Sequence, residues 1–110
     1  MDVEPNQEYH LKGEFLMSSS KTIILEMKLE LLSMNRKNFP ENYKFSWIDC
    51  NKDNPEEEFI LFDNYHKAPH FHIDQKKEFT FFAWISKEQT QALFFAKVEA
   101  KFGSFLRRTK

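Results

Sequence analysis

A chain of 110 residues accommodates one domain and leaves no room for a second. With 41% hydrophobic and 30% charged residues it describes a packed core under a solvated surface, not a disordered chain. A net charge of −1 gives no support to nucleic-acid binding by bulk electrostatics, and two glycines exclude a glycine-rich phosphate loop. Thirteen phenylalanines are many for this length, and large rings let few residues fill a core.

In chain order, Glu8 to Met17 alternates. Tyr9, Leu11, Gly13 and Phe15 fall on one side, and His10, Lys12 and Glu14 on the other, the period of a half-buried strand. Ser18-Ser19-Ser20 reads as a turn. Thr22 to Leu32 is the clearest strand, with Ile23, Leu25, Met27, Leu29 and Leu31 opposed to Glu26, Lys28 and Glu30, so the first two strands form a hairpin. The charged side is a wet face with cross-strand charge partners, and His10 is a surface histidine on it.

Met34 to Asn42 reads as a loop around Pro40. Tyr43, Phe45 and Trp47 mark a third strand, Asn51 to Glu57 a turn, and Phe59 to Asp63 a fourth strand whose unbroken apolar run places it centrally. Tyr65 to Lys77 reads as a loop or short irregular strand around Pro69, and Glu78 to Ile85 as a fifth strand. Ser86 with Gln89 has the capping-box spacing of a helix start. Phe94, Phe95, Val98, Phe102 and Phe105 then form one apolar stripe, with Gly103 as a C-cap or a weak point. The expected fold is α+β: an antiparallel sheet of about five strands in a meander, with one C-terminal helix packed on one face.

Cys50 is the only cysteine, so no disulfide or cysteine-based zinc site forms within the chain. Asp49 beside it raises the thiol pKa, which fits a structural cysteine. Met1 to Gln7 is acidic and polar with no apolar signal region, and no apolar run reaches membrane-spanning length. The expected location is cytoplasmic, with no membrane partner. Lys97, Lys101, Arg107, Arg108 and Lys110 form a basic end against Glu99 alone, which suits a helix C-terminus and a solvated tail.

The segment with chemical content is Asp63-Asn64-Tyr65-His66-Lys67-Ala68-Pro69-His70-Phe71-His72-Ile73-Asp74. It holds three of the four histidines, and histidine moves a proton near neutral pH and is a frequent metal ligand. His70 and His72, two apart, share a face if the backbone is extended. Three readings compete. The pair could serve as general acid and base on a phosphodiester, with Lys67 steadying negative charge. It could chelate a metal with His66, Asp63 or Asp74. Or the segment is a connecting loop that holds histidines, with Asp63 and Asn64 as turn-formers. The candidate catalytic residues are His70, His72, Asp63 and His66, with no cofactor and no resident metal assigned.

The run Tyr43-Lys44-Phe45-Ser46-Trp47, then Phe59-Ile60-Leu61-Phe62-Asp63-Asn64, then Pro69-His70-Phe71-His72 resembles the TumE-like toxins of bacterial toxin–antitoxin pairs. The resemblance covers Tyr43 to Ile73, and Asp63, His70 and His72 map onto its pattern. It implies a compact α+β domain, a cognate antitoxin protein as partner and RNA as target, with a ribonuclease-like activity carried by the histidines. The alternative is a non-enzymatic binding module or homodimer, joined through a free sheet edge or the phenylalanine stripe.

Overall fold

A computed structural model describes residues 6–32, 39–65 and 67–110. Among the described residues there are seven strands and one α-helix. The strands are β1 (Asn6–Met17), β2 (Thr22–Leu31), β3 (Tyr43–Asn51), β4 (Phe59–Asp63), β5 (His70–Ile73), β6 (Thr80–Phe81) and β7 (Phe105–Arg108); α1 (Lys87–Phe102) lies between β6 and β7. They form one antiparallel sheet in the order β6-β5-β4-β3-β2-β1-β7. The α+β class and the antiparallel sheet are as expected, but there are seven strands rather than five, and β7 crosses back to β1 instead of continuing the meander.

The two extra strands have local causes. Pro69 reads as a loop signal, yet it is the residue before β5 and its missing N–H costs no ladder bond. Gly103 adopts φ 84°, stops α1 and frees Phe105 for β7, where continued helical spacing had placed it in the helix. In the expected fifth strand, Glu78 to Ile85, only Thr80–Phe81 is extended in register. The Met34 to Asn42 loop falls largely on residues outside those described; at its end Pro40–Asn42 makes a short 3-10 turn.

The hairpin between β1 and β2 closes through Ser18–Lys21. Met17 N donates to Lys21 O at 2.9 Å, and Ser20 takes φ 72° to turn the chain. Strand alternation then sorts the sheet into two faces. Ile23, Leu25, Met27 and Leu29 on β2 pair with Asn51, Asp49, Trp47 and Phe45 on β3, and the apolar six of these share one core with Phe94, Val98 and Phe102 of α1. The other face carries the charged ladder, in which His10 Nε2 meets Glu26 Oε2 at 2.7 Å. That contact holds the Glu26 carboxyl below its usual range.

The helix starts where the capping box predicts: Ser86 Oγ accepts from Gln89 N at 3.1 Å. Thr90, Phe94, Val98 and Phe102, four apart, are its buried stripe. Phe94 lies edge-on to Trp47 and Phe62, with ring centroids 5.7 and 5.2 Å away. Each such pair adds about 1 kcal/mol to the area it buries. This aromatic core is the rigid floor on which β4 and β5 hold the histidine segment.

Candidate functional site

The β4–β5 register sets Asp63 opposite His70 and Leu61 opposite His72. Both histidines therefore project from the sheet face turned away from α1, as an extended backbone requires. Between them Phe71 packs its ring 5.1 Å from Phe62 on the core side.

The two rings have different surroundings. His70 is 3% exposed. Its Nδ1 lies 2.8 Å from Ala68 O, and its Nε2 lies 3.1 Å from Asp63 Oδ1. A carbonyl only accepts, so Nδ1 donates. Nε2 faces the Asp63 carboxylate, and the two side chains are shielded from water together. Asp63 Oδ1 also accepts from Tyr65 N at 3.3 Å. This pair fastens the chain that leaves β4 to the chain that enters β5.

His72 is partly exposed. Its Nδ1 donates to Glu78 O at 2.9 Å and to Gln75 O at 3.2 Å, which fixes the tautomer with Nε2 as the lone-pair nitrogen. That Nε2 has no hydrogen-bond partner among the described residues. His70 and His72 stand with ring centroids 5.1 Å apart at 74°. Phe79 packs against both, at 5.3 and 6.0 Å, and against Phe81 at 5.1 Å. Lys67 Nζ sits 5.1 Å from the centre of the Phe79 ring, within cation–π range. Phe79 and Phe81 are 38% and 58% exposed. Their places in an aromatic-rich strand read as core; because β6 holds only two residues at the sheet edge, they instead form an open aromatic surface beside the histidines.

The sequence candidates thus separate. Asp63, His70 and His72 come together on one face, while His66 lies outside the described residues. Asp74 turns away: at φ 60° its Oδ1 accepts from Phe59 N at 3.0 Å and its Oδ2 receives Lys101 Nζ at 2.5 Å. Among the described residues no group of three histidines, cysteines or carboxylates could hold a metal ion. Cys50 is buried, and burial together with the Asp49 charge pushes its thiol pKa up.

Asp49 itself is the group that strand patterning exposes only in retrospect. It follows Phe45 and Trp47 at two-residue spacing, so β3 turns it into the core, where it is fully buried. Neither carboxylate oxygen has a hydrogen-bond partner among the described residues, nor does the neighbouring indole Nε1 of Trp47. Burial pushes the Asp49 pKa up to about 7, against a smaller downward pull from Lys101.

The fold and this face define a small antiparallel α+β protein with a histidine and aromatic surface at one sheet edge. No family model, curated protein or solved structure matches the chain. Among the described residues no helix is long and apolar enough to cross a membrane.

Proposed function

We infer that this protein is a recognition module for single-stranded RNA, acting as the toxin-like member of a toxin–antitoxin pair in the cytoplasm. The observation that carries this reading is the exposed Phe79–Phe81 pair set beside His72, with the Lys67 ammonium over one ring. Unpaired bases are held by stacking on aromatic rings, and a nearby cation meets the phosphate between them. The resemblance of Tyr43 to Ile73 to TumE-like toxins points to the same target and to an antitoxin that would cover this face. The test is fluorescence anisotropy with a labelled single-stranded RNA. Phe79→Ala with Phe81→Ala should lose about tenfold or more in affinity, since stacking on one aromatic contributes about 1–3 kcal/mol. Unchanged binding in that double variant would remove the reading, and loss of binding on burial of the face in a homodimer would replace it with self-association.

Cleavage is the second reading, favoured by the open Nε2 of His72. With Nδ1 locked as donor, that nitrogen is set to take a proton from a ribose 2′-hydroxyl. As the 2′-oxygen bonds to phosphorus the P–O5′ bond would break, and, since His70 is buried and engaged at both nitrogens, the departing 5′-oxygen would take its proton from water or from the protonated His72. His72→Ala should then abolish cleavage of RNA while leaving its binding largely intact. Cleavage at the wild-type rate in that variant rules this reading out.

A further inference from the structure

At the opposite end of the sheet, an open cavity of about 620 Å³ lies between β1, β2, the C-terminal half of α1 and β7. Its walls are Leu11, Phe15, Leu25, Met27, Phe95 and Phe105. Pockets of this size, apolar with a few placed polar groups, are the usual seats of small molecules. Leu11 is 54% exposed at its edge, an apolar side chain that the fold itself does not cover.

The polar groups at the mouth are Lys12, Arg108, Glu99 and His10. His10 is occupied by Glu26. Lys12 alternates with Leu11 and Gly13 and turns its ammonium to the charged face beside Glu26, leaving its carbonyl at the mouth, so Arg108 is the cation there and Glu99 the acid. The guanidinium is fixed in place: Nε donates to Lys110 O and Nη2 to Lys12 O, both at 2.9 Å, and its carbon lies 5.9 Å from the Phe15 ring centre. Gly13 makes this possible, because a Cβ there would stand 3.0 Å from Arg108 Nε. The remaining guanidinium N–H donors have no partner among the described residues. A planar donor group pinned at the rim of an apolar cavity is matched to a carboxylate with an apolar tail.

We propose that this cavity binds a free amphiphilic carboxylate, the tail lying between Leu25, Met27 and Phe95 and the carboxylate meeting Arg108. The site is separate from the histidine face and does not depend on its function.

The test uses the whole chain with decanoate and, as a head-group control, decyltrimethylammonium, followed by amide chemical shifts and titration calorimetry. Decanoate should bind and shift the amides of Gly13, Phe95 and Phe105, while the cationic amphiphile binds at least tenfold more weakly. Arg108→Met should weaken decanoate about tenfold, and Arg108→Lys should recover part of that loss. Leu11→Asp, at an exposed position that folding tolerates, should weaken decanoate by placing a like charge at the mouth. Absence of binding, equal binding of the two head groups, or shifts confined to the His70–Phe81 face would each overturn the proposal. So would binding to phosphatidylglycerol vesicles without any binding of monomeric decanoate, since the surface would then be a membrane contact.

Discussion

Asp63 and His70 face each other directly across the β4–β5 ladder, with carboxylate oxygen and ring nitrogen 3.1 Å apart and both side chains largely buried. The pair links the end of one strand to the start of the next, across the segment that contains Pro69. Removing one partner of a buried polar contact leaves the other desolvated and unpaired, which costs about 1–3 kcal/mol, more where the group left behind is charged. His70→Ala and Asp63→Asn are therefore expected to destabilise the fold by about 3 kcal/mol each, and the double variant by less than their sum. His72→Ala removes hydrogen bonds to carbonyls near the surface and ring contacts with His70 and Phe79 on a partly exposed face, and should cost about 1 kcal/mol. Urea denaturation of the parent and these four variants measures all of these. If His72→Ala proves as costly as His70→Ala, the division into a structural and an open histidine fails.

Asp49 gives the fold an unusual pH response. Its folded pKa of about 7 lies above the ordinary value of 3.8, so the native state holds a proton that the unfolded chain has lost. Stability from this group is full below about pH 4, falls as pH rises toward 7, and is flat above that. Asp49→Asn mimics the protonated side chain and should be more stable than the parent at pH 8 by roughly 2–4 kcal/mol, with little difference at pH 4. Glu26 and Glu58, whose pKa values are lowered, act in the opposite sense at acidic pH and are common to both proteins, so they cancel in the difference. A parent-minus-variant difference that does not change with pH would contradict the burial of a neutral Asp49.

Much of the frame was legible in the residues. β1, β2 and β4 follow period-two alternation or a continuous apolar run, and the Ser86 cap and the Phe94–Phe102 stripe mark α1 from its own sequence. The elements that were misread are those in which one residue's backbone decides. Gly103 divides what helical spacing joins, and Pro69 looks like a loop where it only precedes a strand. His70 and His72 were legible as a same-face pair, but their difference was not. Which ring is buried depends on Ala68 O, Gln75 O and Glu78 O, and these carbonyls belong to turns that no side-chain pattern records. The same holds for Phe79 and Phe81: an aromatic-rich strand reads as core unless one knows that it is a two-residue edge.

That edge position separates two kinds of phenylalanine. Phe62 is fully buried among Trp47, Phe71, Phe82 and Phe94, so Phe62→Ala should cost about 3–5 kcal/mol. Phe81, mostly exposed, should change stability by about 0.5 kcal/mol or less when replaced by Ser. Thermal and urea unfolding of both variants decides this. A large loss in Phe81→Ser would mean that the ring packs as core and is not available to a ligand.

Gly103 sits where a single methyl group should be felt by three elements. Its φ of 84° and ψ of −170° lie in a region that residues with a Cβ rarely enter, at a strain of about 1–3 kcal/mol. A Cβ there would also collide with Ser18 Oγ, the atom that accepts from Ser104 N at 2.8 Å and ties the β1–β2 turn to the start of β7. Gly103→Ala should therefore destabilise by more than the strain alone and loosen β7 from β1, so that amide exchange at Arg107 and Arg108 speeds up relative to β2 and β3. In a Ser18→Gly background, which lacks both Oγ and its bond to Ser104 N, the same Gly103→Ala change meets the strain without the Oγ collision and should cost less than it does in the parent. No cost of Gly103→Ala in the Ser18→Gly background would show that the backbone angle carries none, and an equal cost in both backgrounds would show that the collision carries none.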